Sequence, residues 1–179
     1  MKTTPLGLFF VLLSLTFMSG CKDLLDVTED FTFEHSFIIT GSSLSFSRTD
    51  LIDLMEKSDV IDEYGDKIKQ VEINKVECWL TSHQGSSTQT LVSGSLKVAD
   101  DSGTGFSTVT AMQDQNLSQL FSNPTDVPLN SGGINKMNSL TKNPPHKLTL
   151  SLDGTLNEAP VDLTIVFKFT GTITANPLN

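Results

Sequence analysis

Hydrophobic and polar residues alternate along most of this chain, and the places where the period changes mark its elements. Between Phe31 and Ile39, the residues Phe31, Phe33, His35, Phe37 and Ile39 fall on one face, the period of a half-buried strand. Gly41 to Ser43 makes a turn, and Leu44 to Phe46 continues as a short strand. Ser47 to Asp50 has the Ser-x-x-acid form of a helix start. Leu51, Leu54 and Met55 then recur at helical spacing, which predicts a short amphipathic helix over Asp50–Lys57. A second helical turn, Val60 to Tyr64, stops at Gly65.

From Lys69 to Ser82 the strand period returns with a phase break. Val71 and Ile73 share one face while Val76, Cys78 and Leu80 share the other, so a β-bulge is expected at Asn74-Lys75. His83 to Thr88 is a polar turn. Thr90 to Asp100 reads as a strand with Val92, Leu96 and Val98 inward, and Phe106 to Met112 runs back after the turn Asp101–Gly105. Residues 113–146 break the rhythm with six asparagines, four prolines and helix-like scraps near Leu117–Phe121 and Ile134–Leu140. They read as a long loop insertion, a kind of segment that is usually functional or disordered.

The clearest alternation comes last. Leu148, Leu150 and Leu152 share a face, and after a turn at Asn157–Pro160 so do Val161, Leu163, Ile165, Phe167, Phe169 and Ile173. Thr164, Lys168, Thr170 and Thr172 face the other way, as antiparallel sheets with one buried face allow. About seven strands joined by turns predict a mainly β chain, an antiparallel two-sheet β-sandwich with one or two short helices. One domain, 31–179, is expected, without internal repeats.

The first residues follow a different order. Lys2 precedes an apolar run, Leu6 to Met18, and the small pair Ser19-Gly20 follows. The run is short of the roughly 20 residues a membrane-spanning helix needs, and this order reads as a secretory signal peptide over 1–20. A plain signal peptide with an incidental cysteine and an N-terminal membrane helix are the alternatives. Met18-Ser19-Gly20-Cys21 resembles the lipobox of bacterial lipoproteins, with Met where Leu is usual. That resemblance implies cleavage before Cys21, a diacylglycerol on its thiol and a further acyl chain, palmitate for example, on the new amine. It implies a cell-envelope address, anchored to the outer membrane. Several chains on one residue hold far more firmly than the single myristoyl chain that binds only reversibly.

Residues 21–30 would then be a tether. Lys22-Asp23, followed by Asp26, Glu29 and Asp30, resembles the charged export signal of Bacteroidetes-type surface lipoproteins, interrupted by Leu24 and Leu25. Surface-exposed and periplasm-facing positions both stay open. At about 3.3–3.6 Å per residue, Lys22–Asp30 keeps the domain within about 30 Å of its membrane. The segment from Ile61 to Leu80, IDEYGDKIKQVEINKVECWL, is similar to the helix-then-strand segment of small Bacteroidetes lipoproteins with sandwich domains, which implies fold more than function.

Charge and cysteine usage narrow the partners. Removing residues 1–20 from the 179 leaves 159 and, with Lys2 gone, takes the formal charge from −9 to −10. Arg48 is the single arginine, so a nucleic-acid partner, which requires cationic phosphate contacts, is excluded. With Cys21 lipidated, Cys78 has no disulfide partner.

Catalytic signals are weak. No G-x-S-x-G elbow and no H-E-x-x-H or C-x-x-C zinc spacing occurs. His35 reads as a core-edge histidine, and His83 and His146 as solvated turn residues. Cys78 reads as a small buried hydrophobe. Asp59, Asp62, Glu63 and Asp66, and separately Asp100-Asp101, offer hard oxygens for Ca²⁺ without the EF-hand spacing, and they read as solvated turns. Trp79 points away from the face of Cys78, and with Tyr64 it is the candidate binding surface for a sugar or a partner. The expectation is therefore a non-enzymatic, membrane-anchored domain that binds an envelope or surface protein partner, chiefly through 113–146. The alternative is a carbohydrate-binding accessory lipoprotein for glycan capture. No cofactor or metal is expected beyond the covalent lipid on Cys21.

Overall fold

A computed structural model describes residues 25–178. Cys21 and the rest of the lipobox, with the whole signal segment, lie outside the described residues. Within them the chain forms β1 (Val27–Gly41), β2 (Ser45–Asp53), α1 (Asp59–Tyr64), β3 (Ile68–His83), β4 (Thr90–Ala99) and β5 (Ser107–Asn116), then α2 (Leu117–Leu120), β6 (Thr125–Asp126), α3 (Ser131–Lys142), β7 (Lys147–Leu156) and β8 (Val161–Ala175). These strands make two four-stranded antiparallel sheets, ordered β1-β8-β3-β6 and β2-β7-β4-β5. The fold is the two-sheet β-sandwich that the alternation predicts.

Its core is built from the predicted faces. Phe31, Phe33, Phe37 and Ile39 of β1 and Leu163, Ile165, Phe167, Phe169 and Ile173 of β8 are buried. Phe33 stacks on Phe169 at 4.6 Å between ring centroids, and Phe37 meets Phe167 edge-on at 6.2 Å. The second sheet contributes Ile52, Leu96, Val98, Leu148, Leu150 and Leu152. Burying each such side chain contributes roughly 1.5–3 kcal/mol, which suits a chain whose Cys78 is an unpaired thiol. In β3 the register shifts between Ile73 and Lys75, at the expected bulge.

Four elements depart from the sequence reading. Asp50–Lys57 is not a helix, because β2 runs through to Asp53 as the partner of β7. Ser47 Oγ donates to Asp153 across that pair at 2.6 Å instead of capping a helix, so sheet pairing overrides a local helical pattern. Val92 is outward and 43 % exposed, because the ladder to β7 slips between Leu91 and Ser93, turning Leu91 inward. β1 begins at Val27, so residues 27–30, read as tether, pair with β8. Finally, 113–146 is not a loop insertion. It finishes β5 and carries α2, the two-residue β6, a strand beyond the seven expected, and α3, and Leu117, Leu120, Ile134 and Met137 are buried.

That last segment closes one side of the sandwich, between β3 and β5. Ile73 N–H, at the bulge, donates to Asn138 Oδ1 of α3 at 2.9 Å, and Asn130 N–H donates to Val109 O of β5 at 2.8 Å. Asn130 also caps α3 by accepting from Gly132 N–H. At Gly133 the helix rests directly on the backbone of β5.

The strand directions define two poles. The near pole holds Val27, Ile68, Ala175, α1, the turn after Ala99 and the turn before Lys147; there Leu54 N–H donates to His146 O and Asn176 N–H to Lys67 O. The far pole holds the turns Gly41–Leu44, 84–89 and Asn157–Pro160, joined by Gln84 N–H to Asp162 O and Leu156 N–H to Leu44 O.

A Cβ added at Gly133 would lie 2.0 Å from Thr108 O, whereas one at Gly41 meets nothing within 4 Å. Gly133→Ala is therefore expected to destabilise the domain by about 1–3 kcal/mol, and Gly41→Ala to stay within about 0.5 kcal/mol, as read from urea melts of both variants.

Candidate functional site

Tyr64 and Trp79 do not form one surface. Tyr64 closes α1, is 9 % exposed, and donates its hydroxyl to Glu29 Oε1 at 2.7 Å. That hydrogen bond pushes the phenol up to about 12. Trp79 is half-buried on the outer face of the first sheet, opposite Val166, itself buried. Glu29 pairs with Ile173 and Trp79 with Val166, so at about 3.3 Å per residue the two aromatics are roughly 23 Å apart along β8.

The histidines also separate. His35 lies on the inner face of β1, its ring edge-on to Phe37, and its Nε2 meets Asp50 Oδ2 of β2 at 3.0 Å. Arg48 Nε meets the other oxygen, Asp50 Oδ1, at 3.0 Å. This chain of three bridges the edge strands of opposite sheets on the side that α2 and α3 leave open, and it ends on a guanidinium rather than on a nucleophile. Burial lowers the pKa of His35 and outweighs the opposing pull of Asp50.

Neither of the other two is a solvated turn residue. His83 is half-buried and bonds through Nε2 to Gln89 Oε1 at 2.8 Å. His146 is 2 % exposed; its Nδ1 donates to Thr141 O at 2.8 Å, and its Nε2 has no hydrogen-bond partner. Polar contacts specific to the folded state, invisible in the turn-like sequence, hold both rings.

Cys78 lies against Met112, Sγ to Sδ 3.8 Å, and burial pushes its thiol up to about 11, far from a nucleophile's range. Asp100 is occupied by its own turn, accepting from Ser102 Oγ, Thr104 Oγ1 and both backbone N–H groups at 2.6–3.1 Å. The Ser102 hydroxyl leads these bonds in holding its carboxyl below the usual carboxylate range. Among the described residues no group of three or more His, Cys, Asp and Glu side chains is placed to hold a metal.

What the fold does assemble is a polar surface at the far pole. Gln89 is buried, and its Nε2 donates to Glu158 O and Pro160 O at 2.9 and 3.1 Å. Glu158 accepts from Ser86 Oγ at 2.7 Å and Thr88 Oγ1 at 3.0 Å, and Asn116 Nδ2 donates to Ser87 O. Beside it, a groove of about 380 Å³ is lined by Thr40, Ser43, Phe46, Arg48 and Val161 among others. A second depression, about 440 Å³, crosses the outer face of the second sheet over Ser45, Ser93, Ser95, Ala111 and Thr155. The Ser- and Thr-rich run from His83 to Thr90 is the sequence signal for this pole, overshadowed by the longer 113–146.

No family model matches the chain, and no curated protein sequence matches it. A solved structure from Desmodium yellow mottle tymovirus is similar over 83 % of this chain and 89 % of that chain, at 9 % identity and a TM-score of 0.35, a level of likeness that carries no functional argument.

The lowered pKa of His35 sets a pH dependence. The unfolded chain takes up a proton near the ordinary value of 6.5 while the folded chain resists it, so stability is full above that value and falls as the pH drops through it. Thermal melts between pH 7.5 and 5 are expected to show a Tm falling with acid, and His35→Gln to flatten that slope. Cys78 is expected to resist iodoacetamide at pH 8 in the native protein and to react once urea unfolds it.

Proposed function

We propose that this protein is a lipid-anchored, non-enzymatic domain of the bacterial cell envelope, held to the outer membrane through Cys21, which presents its far pole to a protein partner. The observation that carries this reading is the pairing of Val27 with Ala175, which sets the start of β1 at the pole opposite the Gln89–Glu158 surface. Val27 lies six positions after Cys21, a span of at most about 22 Å. The fifteen-residue strand β1 then carries the far pole about 50 Å further. The loops around Ser42, Ser87 and Glu158 point away from the bilayer in this arrangement. Their dense internal hydrogen bonding keeps low the entropy cost of presenting them to a partner. The role first assigned to 113–146 passes to these loops, since that segment is committed to the core. Non-enzymatic binding is also supported by His35, Cys78 and Asp100, whose reactive atoms are engaged internally.

Glycan capture is the second reading, favoured by the depression in which the hydroxyls of Ser93, Ser95 and Thr155 lie beside Phe46 and Met112. Trp79 lies outside that lining.

Replacing Cys21 with Ser is expected to abolish incorporation of labelled palmitate and release the protein from the membrane fraction. With a photo-crosslinking amino acid in intact cells, position 87 is expected to capture a discrete protein and position 62, on α1, to capture none. Equal capture at both positions would count against the far pole, and a crosslinked glycan in place of a protein would favour the second reading.

A further inference from the structure

We infer that the groove where the chain crosses from β1 to β2 binds a sugar bearing a single carboxylate, a uronic or other acidic sugar, with Arg48 as its anion anchor. The chain carries 21 acidic against 12 basic residues, yet no aspartate or glutamate lines this groove. Its one charged residue is Arg48, the single arginine. Asp50 Oδ1 meets the guanidinium at Nε, 3.0 Å away, and His35 Nε2 meets the other oxygen of Asp50, also at 3.0 Å. These contacts fix the guanidinium plane while the Arg48 side chain stays 57 % exposed. The donors on its two terminal nitrogens have no protein partner among the described residues. They form the edge that meets a carboxylate in a two-pronged hydrogen bond.

Around this anchor the lining is rich in hydroxyls. Those of Thr40 and Ser42 have no protein partner among the described residues. Ser43 Oγ accepts from Ser45 N–H at 3.2 Å, which leaves its own proton to donate. Hydroxyls donate and accept alike, so they match the adjacent hydroxyls of a sugar better than an aliphatic acid. Phe46 supplies an apolar wall for the C–H face of a sugar ring; it lies against Gly154, where a Cβ would come within 2.3 Å of it. The volume, about 380 Å³, is that of a small-ligand site. One guanidinium with no lysine in the lining suits a monoanion, because a phosphate dianion would face a chain of net charge −9 half uncompensated. The adjoining depression shares Ser45 and Phe46 but presents Asp153, which repels the same anion. The proposal rests on the glycan reading and gives it a ligand class.

The test adds glucuronate, galacturonate or N-acetylneuraminate, with glucose, galactose and acetate as controls, to full-length ¹⁵N-labelled protein in detergent micelles. Backbone amide shifts locate binding and calorimetry measures it. Saturable shifts over residues 40–48 are expected with at least one acidic sugar, bound at least about tenfold more tightly than the neutral sugars or acetate. Arg48→Gln is expected to weaken that binding more than about tenfold, and Arg48→Lys to recover only part of it. Folding of both is checked by near-ultraviolet circular dichroism. Should they fail to fold, Ser42→Ala, at an exposed turn position, decides the matter through a loss of about threefold. Neutral sugars binding instead over Ser93 and Ser95 would overturn the proposal and keep the glycan reading, as would acidic sugars binding Arg48→Gln unchanged. Acetate binding as tightly as the acidic sugars would reduce the groove to a plain anion site and overturn the proposal, and failure of every sugar to bind would overturn both.

Discussion

The double pairing of β8 is the constraint on which the rest of the structure depends. Over fifteen residues this strand gives one edge to β1 and the other to β3, while Phe167 and Phe169 fill the space between the sheets. Gly171 matters for the same reason: a Cβ there would come within 2.4 Å of Glu72 O on β3, so the strands meet closely where β3 bulges. The fold needs no cross-link because this central ladder and its apolar face satisfy the backbone and exclude water together.

The two open sides of the sandwich are closed by different chemistry. Between β3 and β5, α2 and α3 insert Leu117, Leu120, Ile134 and Met137, and the bulge at Ile73 is tied to Asn138. Between β1 and β2 the closure is polar, through His35, Asp50 and Arg48. The polar closure carries a histidine that burial makes reluctant to ionise, so that side of the sandwich is sensitive to acid.

The sandwich was legible in the sequence because its inner faces obey a period of two without interruption, as from Phe31 to Ile39 and from Val161 to Phe169. Even the β3 bulge showed itself, since a phase break in a strand has few other causes. What misled were patterns whose meaning depends on a distant partner. Ser47-x-x-Asp50 is a helix cap in isolation, but Asp153 takes the serine and His35 the aspartate. The asparagines of 113–146 resemble a loop, yet Asn130 and Asn138 serve as cap and clamp. Tyr64 was equally opaque, since nothing near it in sequence announces Glu29. The far-pole surface was hidden because Gln89, its organiser, is buried only after His83 and Pro160 converge on it.

The antiparallel course of β1 and β8 has a mechanical consequence. A load applied between Val27 and the turns of the far pole runs along the strands. Ladder hydrogen bonds lie across that direction, so the β1–β8 and β8–β3 rows are sheared together instead of opening one at a time. Force along this axis therefore has to break many bonds at once, and the domain is a stiff strut from pole to pole.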